Sequence, residues 1–218
     1  MGSCGIWISQ LNARGMLMNC LPERGFQMAR VGVAILAGGQ GRRMGGSKPE
    51  RQFRGRRLID PALDLVSAWR VPAAICVREP GQVTNSNFAQ ILDWPEIEGP
   101  LSGLLSALEW ARAEGVDYVL TLPCDAPFLP ADLLSKLLPI AVGTARPVVA
   151  SSKGRRHPTC AVWPVELLSR VAAYAEAGRR SLSGALEACD SVEVRWADCP
   201  VDVFENINSP ADIARLQD

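Results

Sequence analysis

Three short stretches of this 218-residue chain combine residue types that can hold phosphate or a metal ion. The first is Leu36-Ala37-Gly38-Gly39-Gln40-Gly41-Arg42-Arg43-Met44-Gly45-Gly46-Ser47-Lys48. Glycines let backbone N–H groups close around an anion, and Arg43 and Lys48 can neutralise its charge. The spacing is not a dinucleotide fingerprint, because Met44 stands where the third glycine belongs. It is not a Walker A loop, because Gly46 is followed by Ser-Lys rather than Lys-Ser or Lys-Thr. Five glycines, two arginines and a lysine behind an apolar run favour a phosphate loop of another kind over a merely solvated one. The second stretch, Pro123-Cys124-Asp125-Ala126-Pro127, holds a carboxylate between prolines. Mg²⁺ takes one or two such carboxylates together with substrate phosphates, so Asp125 is a candidate metal ligand. Taken alone, the stretch reads more readily as an ordinary Asx turn than as a metal site. Cys124 has no base beside it and reads as packing. The third, Gly99-Pro100-Leu101-Ser102-Gly103, combines a helix start with small residues that would admit a planar base or a phosphate. A purely structural helix start explains it as readily.

Two further segments carry polar groups without a complete catalytic set. His157 is the sole histidine, in Arg155-Arg156-His157-Pro158-Thr159, and no triad partner is evident. Its arginine neighbours suggest contact with an acceptor phosphate. Asn206-Ile207-Asn208-Ser209-Pro210 reads as the start of a helix with Asn208 or Ser209 as N-cap.

The elements that must position these groups follow from hydrophobic patterning. Residues 31–37 form a continuous apolar run ending in glycine, as in a strand buried on both faces of a parallel sheet. Residues 73–77 and 118–122 are similar. Helical spacing marks 58–69, and Leu101, Leu104, Leu105, Leu108 and Ala111 form a stripe closed by Gly115. A proline-initiated helix is expected over 130–138. Further on, strands are expected over 148–151, 159–163, 192–196 and 201–204, with helices over 165–177 and 210–216. Strand–helix alternation predicts a doubly wound, mostly parallel α/β sheet with helices on both faces. Ligands in such folds sit beyond the carboxyl ends of the strands, where the first two stretches lie. One domain is expected over 31–218. Residues 1–30 read as an N-terminal extension, disordered or upstream of the native start, since Met28 directly precedes the first convincing strand.

Composition narrows the class. The chain is 48% hydrophobic and 21% charged, with 23 basic and 23 acidic residues. That balance argues against a nucleic-acid binder or a polybasic membrane protein. Residues 42–57 nevertheless hold six arginines and one lysine against one glutamate, which suggests an anionic ligand. Seven cysteines without a C-x-x-C pair argue against a disulfide framework or zinc site and for a reducing, cytoplasmic location. No apolar run approaches a membrane span. The first residues lack the basic start and cleavage site of a signal peptide, and Ile6 disfavours N-myristoylation.

Together these motifs resemble the molybdenum cofactor guanylyltransferases, within the MobA-like nucleotidyltransferase family. The likeness runs in consistent order over residues 31–218: Leu36-Ala37-Gly38-Gly39, Arg43-Met44-Gly45, Lys48, Gly99 to Gly103, Pro123 to Pro127, His157-Pro158-Thr159, and Asn206 to Pro210. It implies transfer of GMP from GTP to the terminal phosphate of molybdenum-molybdopterin, with pyrophosphate released and Mg²⁺ as cofactor. It implies nucleotide contacts from Leu36, Ala37, Gly38, Gly39, Lys48, Asp93, Gly99, Pro100, Leu101 and Asp125, with Asp125 also the metal ligand. Arg43, Lys48 and Asp125 would be catalytic, and His157, Asn206 and Asn208 would meet the acceptor. GTP and molybdopterin are the expected partners, with other proteins of cofactor biosynthesis, and neither nucleic acid nor membrane. The chain departs from the family pattern in several places. Ser47 replaces an acid before the lysine, Glu50 to Arg54 replace an apolar strand, Arg57 replaces a proline, and Arg78 replaces an asparagine. A cytidylyltransferase or other small-phosphate transferase of the same fold, or a non-catalytic nucleotide-binding relative, are the competing readings.

Overall fold

The computed structural model describes residues 16–19, 27–39, 46–97 and 99–217. The first apolar run is the centre of the molecule. It lies within strand β2 (Gln27–Leu36), which starts earlier than expected and pairs at its N-terminal end, antiparallel, with β1 (Met16–Asn19). On either side of β2 run β5 (Ala73–Val77) and β7 (Tyr118–Pro123), both parallel to it. Outward from β5 lies β6 (Ala89–Leu92). Outward from β7 come β9 (Arg155–Pro164), β8 (Val148–Ser152) and β10 (Val192–Arg195). The resulting order is β10-β8-β9-β7-β2-β5-β6, and within it β9 alone runs antiparallel to its neighbours. The fold is therefore the expected mostly parallel, doubly wound sheet.

Because alternate side chains of a strand face opposite ways, β2 feeds two cores. Val31, Val33 and Ile35 pack with helix α1 (Asp60–Trp69) and helix α3 (Leu133–Thr144) on one face. Ala34 and Leu36 pack on the other with α2 (Pro100–Ala113), α4 (Leu168–Glu176) and α5 (Leu182–Ala188). Leu101, Leu104, Leu105 and Leu108 of α2 are fully buried, which stabilises the fold by about 2 kcal/mol each. Gly32 lets α2 approach, since a Cβ there would stand 2.9 Å from the Trp110 ring.

Several expected elements have different bounds. The helix predicted over 130–138 begins at Leu133 and runs through Pro139 to Thr144. Its face of Leu133, Leu134, Leu137, Leu138 and Ala141 is buried to completion, and that burial outweighs the amide hydrogen bond Pro139 cannot make. Residues 165–177 split into a 3₁₀ turn at Val165–Leu167 and α4. Residues 201–204 form no strand; they are an irregular segment leading to the last helix, α6 (Pro210–Gln217). A hairpin of β3 (Gln52–Phe53) and β4 (Arg56–Arg57) occupies the arginine-rich stretch. Phe53 and Leu58 form a small separate core with Ile207 and Leu216, which docks α6 beside the carboxyl end of the sheet. No helix among the described residues is long and apolar enough to cross a membrane.

Candidate active site

The strand order reverses direction between β2 and β7, and the first two motifs leave the carboxyl ends of those neighbouring strands. After β2 the backbone continues straight through Ala37, whose N–H bonds to Cys76 O at 2.8 Å, into Gly38 and Gly39. Arg43 lies outside the described residues. A 3₁₀ turn at Lys48–Glu50, with Pro49 in its first turn, then aims Lys48 back across the sheet end. Its ammonium donates to Asp125 Oδ2 and, at 2.7 Å, to Asn208 Oδ1. The two charged side chains are 13% and 9% exposed, so the pair is held in a largely desolvated spot. Asp125 is fixed from behind, its carbonyl accepting the Ile207 N–H at 2.9 Å. Lysine, aspartate and asparagine thus converge from three distant parts of the chain. Cys124 also lines the cleft, but burial and the Asp125 charge push its thiol far above the usual range, as suits a packing role.

Arg54, Arg56 and Arg57, in the turn and second strand of the β3–β4 hairpin, do not line this cleft. Arg54 donates to Leu216 O at 2.5 Å, and Arg56 to Asp64 at 2.7 Å. Arg57 joins Asp60 at 2.8 Å and Glu50 at 3.1 Å. The basic run read as an anion site is, in these positions, spent on holding the hairpin to its surroundings, because each guanidinium finds a protein acceptor.

A cleft of about 800 Å³ extends from Lys48 along the carboxyl ends of β2, β5 and β6. Leu36, Ala37, Gly38, Gly39, Gly99 and Pro100 all line it, together with Asp93. Leu101 does not: its side chain is fully buried, because the α2 stripe that carries it faces the sheet. Asp93 follows β6 directly, and its carboxylate nests against two glycines. A Cβ on Gly38 would stand 1.7 Å from Asp93 Oδ2, and one on Gly103 would stand 3.3 Å from Oδ1. Ser102 and Ser106 of α2 fix the segment by donating to Trp94 O at 2.9 Å and Leu92 O at 2.8 Å. Two serines four apart on an otherwise leucine-rich helix are the signal that could have located this site from sequence. Asp93 Oδ1 is buried with no hydrogen-bond partner. Burial raises its carboxyl to about 6, against the opposing charge of Arg78, whose side chain lines the same cleft.

A second cavity of about 830 Å³ adjoins the first, sharing Gly99, Pro100, Thr159 and Asn206 with it. Arg155, Arg156, Arg180, His157 and Asn208 contribute to its walls. His157 sits on β9 rather than in a loop, stacked on Phe204 with ring centroids 4.6 Å apart. Burial lowers its pKa, the Asp202 charge raises it, and Arg155 lowers it. The three acceptor-side residues expected from sequence, His157, Asn206 and Asn208, therefore share one cavity.

Residues 33–192 match the family model described as the MobA-like NTP transferase domain. The chain belongs to that family. Members similar to it include the molybdenum cofactor guanylyltransferase of Cereibacter sphaeroides, 35% identical over 185 residues, covering 84% of this chain and 93% of that protein. The enzyme of the same name from Rhodobacter capsulatus is 35% identical over 191 residues, covering 87% and 96%. In fold, the chain matches the crystal structure of molybdopterin-guanine dinucleotide biosynthesis protein A from Archaeoglobus fulgidus with a TM-score of 0.69 at 22% identity, covering 84% and 95%.

Among the described residues no group of three or more His, Cys, Asp or Glu side chains could hold a metal ion. Mg²⁺ does not need one. Asp125 already faces a cation, the Lys48 ammonium, from the wall of a cleft with room for phosphate. A lone hard carboxylate of this kind fits Mg²⁺, whose other ligands are phosphate oxygens and water.

Proposed function

We propose that this protein transfers GMP from GTP to the terminal phosphate of molybdenum-molybdopterin, releasing pyrophosphate. The observation that carries this reading is the meeting of two adjoining cavities at Gly99, Pro100, Thr159 and Asn206, with Lys48 and Asp125 lining the first and Asn208, the Lys48 acceptor, lining the second, as a two-substrate transfer requires. GTP occupies the cleft lined by Gly38 and Asp93. The acceptor lies in the cavity lined by Arg155 and Arg180, and one of its phosphate oxygens attacks the α-phosphorus of GTP. A new P–O bond forms, the bond to the β-phosphate breaks, and pyrophosphate leaves with the electron pair. No protein nucleophile is needed, because the acceptor oxygen is already anionic. Lys48 moves its ammonium onto the phosphates and neutralises charge that grows in the transition state. Asp125 would hold Mg²⁺, which when bound neutralises the phosphates further.

Base choice follows from Asp93. An ionised carboxylate only accepts hydrogen bonds, and guanine offers N1–H and N2–H₂ donors along one edge. Arg78, on the same cleft wall, complements the O6 and N7 acceptors of the other edge. Support also comes from the family relationship, whose similar members carry the guanylyltransferase name. The test is pyrophosphate release from GTP, CTP, ATP and UTP with Mg²⁺, with and without the pterin acceptor. Turnover is expected with GTP and acceptor together. CTP turnover matching that of GTP would overturn the base assignment, and tight GTP binding with no turnover would make the chain a binding protein. In Asp125→Asn and Lys48→Met the rate is expected to fall by about a hundredfold or more.

A further inference from the structure

Ser152, His157 and Asp202 form a buried hydrogen-bonded cluster that the transfer chemistry does not use. Ser152 ends β8 and His157 lies on the adjoining β9. Ser152 Oγ lies 2.7 Å from His157 Nε2 and 2.6 Å from Asp202 Oδ1. The Phe204 N–H also donates to Asp202 Oδ1, at 3.0 Å, and Arg155 approaches Oδ2 at 3.6 Å.

Counting protons gives each bond its direction. Burial opposes the charge on Asp202, but hydrogen bonds from Ser152 and Phe204 and the charges of His157 and Arg155 hold its carboxyl below the usual range. An ionised carboxylate can only accept, so the single Ser152 proton points to Asp202. The Ser152 oxygen must then accept from the ring, which places a proton on His157 Nε2. A nucleophilic serine needs the opposite arrangement, donating its proton to an unprotonated ring nitrogen of the histidine. The cluster is thus built to hold position.

What it holds is the segment between Asp202 and Asn208. Asp202 and Phe204 anchor one end, the latter under the His157 ring. The other end is tied by Ile207 N–H to Asp125 O at 2.9 Å, and by Asn208 Oδ1 accepting from Lys48 at 2.7 Å. Asn206, between the anchors, lines both cavities.

We propose that Ser152, His157 and Asp202 are positioning residues, a latch that sets the Asn206–Asn208 segment and through it the Lys48 ammonium. The latch serves the transfer reaction proposed above. His157 is the only histidine, so ¹⁵N-histidine NMR reports on it without ambiguity. An Nε2–H ring is expected near pH 8, and an Nδ1–H ring would overturn the latch whatever the protein catalyses. A protein with the Nε2–H ring but no turnover on any nucleotide would instead sink the transfer reading and leave the latch standing.

Kinetics test the coupling to Lys48. In Ser152→Ala and His157→Asn, kcat is expected to fall about tenfold to a hundredfold through misplacement, with the GTP dissociation constant within about twofold. His157→Gln can donate from the Nε2 position and is expected to restore most of the loss. If His157→Gln is as impaired as His157→Asn, the hydrogen bond donated from the Nε2 position does not set the segment and the latch is overturned. Should Ser152→Ala melt early, a double-mutant cycle at a temperature where it is folded decides the matter. On an Asn208→Ala background, losing Ser152 is expected to lower kcat little further. Full additivity would overturn the coupling.

Discussion

Asp93 holds a buried oxygen that no protein group satisfies, at a cost to the unliganded fold. Its carboxyl, raised to about 6 by burial, binds a proton more tightly in the folded chain than in the unfolded one, where the ordinary value is about 4. Stability therefore falls as pH rises from about 4 to 6 and carries the full penalty above that range. Replacing Asp93 with Asn removes the charge while keeping the shape. The variant is expected to gain in urea midpoint over the parent at pH 8 but not at pH 4, and to lose GTP affinity. Equal midpoints at pH 8 would show that the charge is not strained.

At the scale of elements, the β3–β4 hairpin and its 3₁₀ turn carry most of the departures from the family pattern, and two of these pair with each other. Glu50 accepts from Thr84 N at 3.0 Å and Oγ1 at 2.9 Å, and bonds Arg57 at 3.1 Å. Arg57 in turn bonds Asp60, at the start of α1. This clamp holds the turn from which Lys48 projects. Arg57→Ala leaves the partly buried Glu50 and Asp60 carboxylates without the cation they share. We expect a loss of about 2 kcal/mol in stability, together with a lowered kcat, measured by urea unfolding and by turnover of the folded variant. A variant with full turnover would show that the clamp does not position Lys48.

Across the whole molecule, the Asp202 cluster joins the β8–β9 strand pair to the segment before α6, so its titration should appear in global stability. The Asp202 carboxyl is held low in the folded state. Its contribution is complete above the unfolded value of about 4 and is lost as pH falls through the lower folded value. The His157 ring, lowered by burial, resists protonation when folded, so it too destabilises the fold as pH drops below about 6.5. Both effects make acid unfavourable. Asp202→Asn is expected to flatten the decline in urea midpoint below pH 4; an unchanged slope there would place the acid sensitivity elsewhere.

The local sequence was sufficient for β2, β5, β7 and α2, because a doubly buried strand or a leucine stripe declares its burial within a few residues. It also showed the glycine loop, Asp125 at a strand end and the asparagines before α6. Other features depended on contacts across the fold. The strand β6 has no apolar alternation, and α3 passes through Pro139 because its sheet-facing side is buried. The arginines of the hairpin looked available to a ligand until their partners in other elements were seen. Lys48, Asp125 and Asn208, separated by 77 and 160 residues, are brought together by the order of strands in the sheet. Residue types and spacing determined the chemistry on offer; the sheet order decided which groups meet, since long-range partners satisfy charge and burial that no neighbouring residue can supply.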